Sequence, residues 1–127
     1  MKTLEVNQKA WSQFCQRFEE YCRGAMVTIR LECGGQPQET IGEDLPLRHL
    51  GLDKQTDPCN TKLVIEAGAA DQKPLRHTVV EPVHIRLRNG SGTDRYNRVQ
   101  ILAENGTTTM ELRPGLSQEL VKEFETQ

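Results

Sequence analysis

Aromatic side chains are scarce in this 127-residue chain: three Phe, two Tyr and one Trp make up 5% of it. Those few must carry much of the core, because each buries roughly 150–250 Å². Long apolar runs are missing as well. Nothing approaches the ~20 apolar residues of a membrane-spanning helix, and Met1-Lys2-Thr3-Leu4-Glu5 leads into polar residues rather than an apolar signal stretch. These absences predict a soluble cytoplasmic protein with no membrane partner. A basic surplus is absent too: 16 Lys and Arg against 18 Asp and Glu leave a formal charge of −2, which makes a dedicated nucleic-acid binder an unfavoured reading. Cys15, Cys22, Cys33 and Cys59 form no Cys-x-x-Cys pair, so four reduced thiols are expected rather than a disulfide framework. Phosphate-loop, dinucleotide and serine-hydrolase signatures are lacking, because Gly34-Gly35 and Gly90-Ser91-Gly92 are not set between a strand and a helix. No cofactor is expected.

What is present fits a single domain over residues 1–127. Asn7 caps a helix running to about Cys22, with Trp11, Phe14, Cys15, Phe18 and Cys22 on one face and Gly24 as its stop. From Ala25 the period becomes two: Val27, Ile29, Leu31 and Cys33 alternate with Thr28, Arg30 and Glu32 in a half-buried strand. Gln38 to Ile41 returns antiparallel. Pro46 excludes a central strand position, so residues 43–53 read as a packed connection. Leu63, Ile65 and Ala67 mark a further strand, and Arg76 to Arg88 a long one with Pro82 inside it. If no bulge resets its register, His77, Val79, Val83, Ile85 and Leu87 share one face, and Arg76, Thr78, Val80, His84, Arg86 and Arg88 the other.

Tyr96 to Glu104 and Thr107 to Arg113 flank Asn105-Gly106, a two-residue hairpin signal. That turn pairs Ala103 with Thr108, Ile101 with Met110, Val99 with Leu112 and Arg98 with Arg113. Pro114-Gly115 ends the strand, and Leu116, Leu120, Val121 and Phe124 suit a closing helix that starts near Ser117. The fold class is therefore α+β: an N-terminal helix packed on a strongly curved antiparallel sheet or small barrel of five to six strands, with a short C-terminal helix.

Several spaced features carry a family resemblance: Trp11 with Phe14, Asp44-Leu45-Pro46-Leu47 followed by Gly51, His77-Thr78-Val79 followed by Pro82, and Asn105-Gly106-Thr107-Thr108. Together they resemble the small bacterial proteins grouped as the domain-of-unknown-function 5335 family, over nearly the whole chain. The resemblance implies a free-standing small cytoplasmic domain without an assigned activity, so no catalytic residues carry over. The four cysteines lie outside its pattern.

Residues 76–113 hold six basic and four acidic groups, the one basic stretch of the chain. His84, Arg86, Arg88, Arg98 and Arg113 are the candidate binding residues, since arginine forks suit phosphate or carboxylate partners. The leading expectation is a non-enzymatic binding or accessory module contacting an acidic protein or small anion. The alternative is a small enzyme or metal-binding protein that uses His77 with Cys59 or His49, with a Cys59 thiolate activated by His77 or zinc held among them. These spacings match no closed zinc pattern, so no metal is expected. The competing role for His77 is a half-buried histidine satisfied by hydrogen bonding. Weak nucleic-acid binding is a third reading, and Pro37 and Pro82 mark edges through which a homodimer could form.

Overall fold

The computed structural model describes residues 3–53, 61–69, 71–89, 95–104, 106–117 and 121–122. Asn7 accepts the Lys9 N–H at 3.0 Å and caps a short 3₁₀ turn, Gln8–Ala10, which runs into helix α1, Trp11–Cys22. The buried residues of α1 are Trp11, Phe14, Cys15, Phe18 and Cys22, the face expected from the spacing. The Trp11 indole N–H donates to the Val6 carbonyl at 3.1 Å, so the largest core side chain is buried with its polar atom satisfied. Gly24, at φ +85°, turns the chain out of the helix.

Among the described residues, eight antiparallel strands follow the order β1-β6-β7-β8-β2-β3-β4-β5. They are β1 (Thr3–Glu5), β2 (Met26–Glu32), β3 (Glu39–Asp53), β4 (Lys62–Ala67), β5 (Leu75–Val80), β6 (Pro82–Asn89), β7 (Tyr96–Ala103) and β8 (Gly106–Leu116). The class is α+β with an N-terminal helix, but the expected five to six strands become eight among the described residues. One addition is β1, whose three residues are too few to show a period. The other arises because Glu81, at φ +53°, breaks the long strand in two. The bend also resets the face pattern: β6 is irregular between Pro82 and His84, and Val83 points to solvent at 55% exposure while Ile85 and Leu87 are buried.

Two further expectations are corrected. Residues 43–53 are strand, not connection. The first half of β3 pairs with β2 as far as Pro46, and the second half pairs with β4 from Leu47 onward. Proline is tolerated there because it sits where β3 changes partners: the next N–H, of Leu47, donates to Ala25, and the Pro46 carbonyl accepts from Gly68. The β7–β8 register is also displaced by two residues. Ala103 pairs with Gly106, Ile101 with Thr108, Val99 with Met110 and Arg98 with Glu111. Gly106 therefore lies in the strand, not in the turn. A side chain there would come within 2.7 Å of the Glu32 carbonyl, which reserves the position for glycine. A shift of two preserves the facing pattern, so Val99, Ile101 and Met110 remain buried. β8 also continues to Leu116, which pairs with Tyr96. The expected C-terminal helix lies largely outside the described residues; of it, Val121 is buried and donates its N–H to Ser117.

The sheet curls upon itself. Strands β8 and β5 are four spacings apart in the order, about 19 Å in a flat sheet, yet His77 of β5 lies 3.1 Å from the Thr108 hydroxyl of β8. Covalent continuity brings the margins together as well. β5, at one edge, passes through Glu81 into β6, next to the other edge. Among the described residues no ladder joins β1 to β5, so the sheet is not closed. Its concave side and α1, which packs chiefly on β3, enclose the core. No helix of the described residues is long and apolar enough to cross a membrane.

Candidate functional site

Strand β6 presents His84, Arg86 and Arg88 away from the core, as alternation requires. His84 Nδ1 and Arg86 Nε both meet one oxygen of Glu5, Oε1, at 3.1 and 3.2 Å. Glu5 comes from β1, which pairs Thr3, Leu4 and Glu5 against Arg88, Leu87 and Arg86. The Arg86 hydrogen bond holds the Glu5 carboxyl below its ordinary range, and His84 adds to the effect. Arg98 stands opposite Arg88 on one side and Glu111 on the other, not opposite Arg113 as expected. Glu111 also meets Arg30, and Arg113 meets the Asp44 carboxylate on β3. The five candidate binding residues therefore do not form one bare cationic patch. His84, Arg86 and Arg113 each have an acidic partner.

Within the second candidate set, His77 and His49 do not converge. Along β3, β4 and β5, Leu50, Ile65 and His77 form one cross-strand row, while His49, Glu66 and Arg76 form the next. Neighbouring rows point to opposite faces, so His77 faces inward and His49 outward. His49 Nδ1 meets Glu19 of α1; the same Glu19 oxygen accepts the Leu50 N–H at 3.3 Å, and its other oxygen meets Arg23 at 3.2 Å. His49 is thus part of the clamp between α1 and β3. Cys59 lies outside the described residues. Among the described residues no group of three or more His, Cys, Asp or Glu could hold a metal.

A different set of side chains does meet around His77. The inward rows of β2, β5, β7 and β8 end together where β5 approaches the β7–β8 hairpin. Leu31, Cys33, His77, Val79, Ala103 and Thr108 line a cavity of about 110 Å³ at this rim. His77 is half-buried, with Nε2 3.1 Å from the Thr108 hydroxyl, and burial lowers its pKa from the ordinary 6.5. At neutral pH the imidazole is therefore uncharged and carries one donor and one acceptor nitrogen. Cys33 ends the β2 row as an exposed thiol, its sulfur 3.5 Å from where a Cβ on Gly106 would sit. The other two described cysteines are different: burial pushes the thiols of Cys15 and Cys22 up to about 12, which makes them inert core groups.

The rim can therefore hold a compact group between a neutral imidazole, a hydroxyl and an apolar wall of Leu31 and Val79. Sequence reading singled out His77 but missed Thr108 and Cys33. The usable signal was positional: Cys33 is the last member of the alternating row that contains Val27, Ile29 and Leu31. Comparison with known proteins leaves this geometry to speak for itself, since no family model, curated protein or solved structure matches the chain.

Proposed function

We propose that the chain is a small non-enzymatic binding module that takes a compact, uncharged, hydrogen-bonding group at the rim cavity. One observation carries this reading: His77 is half-buried and paired with Thr108 across the place where the curled sheet stays open. Mouths of curled sheets are favoured ligand sites because a few polar groups converge there against an apolar lining. The test is an NMR titration with small neutral amides and alcohols. Shifts should centre on the His77 ring and the Thr108 methyl, and Thr108→Val should weaken binding at least fivefold. Absence of shifts at the rim, or equal binding by the variant, would overturn the proposal. Membership of the domain-of-unknown-function 5335 family belongs to the same proposal; it rests on the order of the motifs and brings no catalytic residues.

A second reading has its own observation. His84 and Arg86 converge on a single carboxylate oxygen, an arrangement that could hold the side chain of an acidic partner once Glu5 is removed. Glu5→Gln should then strengthen binding of acetate or a capped Asp-Asp peptide, and Arg86→Glu/Arg88→Glu should abolish it. Equal weak binding in all three proteins would eliminate this reading.

A further inference from the structure

On the other side of the Glu81 corner, a second concavity of about 440 Å³ opens between the start of α1 and the β5–β6 bend. Buried Trp11 and Pro82 and exposed Val83 form its apolar lining, and Glu81 and Glu104 supply its charge. We propose that this groove docks a segment of a partner protein that presents a lysine or arginine beside an aliphatic residue.

Three features favour that occupant. First, Trp11, its indole N–H already committed to Val6, is 3% exposed and with buried Pro82 forms the floor of the groove. Val83 stands above that floor at 55% exposure and supplies the exposed apolar area of the groove. Second, the two carboxylates face a lining that contains no cation among the described residues, and neither makes an ion pair there. This is the reverse of the outer face of β6, where arginine and histidine are met by Glu5. Third, the corner is held in place: the Glu81 N–H donates to the Thr61 carbonyl at 2.9 Å. A basic side chain satisfies both halves of such a surface, since its methylene stem lies on apolar walls while its charged head reaches a carboxylate. The volume also falls within the ~300–1,000 Å³ of small-ligand pockets. The expected partner is thus opposite in charge to the one that the count of arginines suggests.

The test is selection of a displayed random 12-residue peptide library on the full chain, followed by calorimetry with the most enriched peptide. Enriched peptides should carry Lys or Arg next to Val, Leu or Ile. Their affinity should fall at least tenfold in Glu81→Gln/Glu104→Gln, and should fall with added salt. Thr108→Val, which alters only the rim cavity, should bind them as the parent does, so failure here is distinguishable from failure of the rim proposal. No enrichment over an unrelated protein, enriched peptides without a basic residue, or undiminished binding by the Gln variant would each overturn the proposal.

Discussion

The outer face of β6 and the rim around His77 contain the same kinds of residue and differ in what surrounds them. On the outer face, Arg86 and His84 meet Glu5, and Arg98 stands opposite Glu111, with water on the open side. At the rim, an uncharged His77 faces one hydroxyl beside a small cavity. The contrast teaches that a run of basic residues says little about exposed positive charge until partners distant in sequence are known. A single histidine that ends an inward row says more. Exposed pairs contribute little stability, because solvent screens them and long side chains lose entropy in forming them. A half-buried polar pair is costly to leave incomplete.

Four outcomes probe this contrast. Trp11→Ala lies outside both regions and sets the scale: removing a buried large aromatic should cost about 3–5 kcal/mol in denaturant melts, and a loss under about 1 kcal/mol would mean that α1 does not dock. Thr108→Val should cost about 1–3 kcal/mol by leaving His77 without its partner. The double variant His77→Leu/Thr108→Val should recover most of that loss, because both polar groups are then gone. Additive losses would mean that the two do not interact.

The third outcome is smaller and concerns pH. Burial lowers the His77 pKa below its unfolded value near 6.5, so the unfolded chain binds the proton more readily than the folded one. Stability should therefore hold above about pH 6.5 and decline as pH falls below it, levelling off under the folded pKa. In His77→Gln this part of the decline should vanish from a pH series of melts. The smallest effect belongs to the outer face: Arg86→Ala should cost under about 1 kcal/mol, and 0.5 M salt should erase it. A loss larger than that of Thr108→Val would reverse the ranking of the two regions.

Local periodicity was readable in the sequence wherever one element alone determined it. The 3.6-residue spacing located the buried face of α1, and alternation located Leu63, Ile65 and Ala67 in β4. Features set by distant contacts escaped. Gly106 looks like half of a turn dipeptide, but the Glu32 carbonyl is what excludes a side chain there, and the hairpin register moves accordingly. Pro46 looks like a strand breaker until β3 is seen to change partners beside it. The acidic partners of Arg86 and Arg113 lie 81 and 69 residues away in the chain. Nothing local marks them. His77 could be recognised because it shares its phase with Val79, whereas its relation to Thr108 requires the curl of the whole sheet.

That curl has a topological consequence at Glu81. A single residue bridges the outermost strand on one margin and the penultimate strand on the other, so the sleeve is sewn shut by the chain where hydrogen bonds do not close it. Lengthening the stitch would let the seam gape without disturbing any ladder, and the rim cavity and the acidic groove, which lie on either side of it, would lose their shape together.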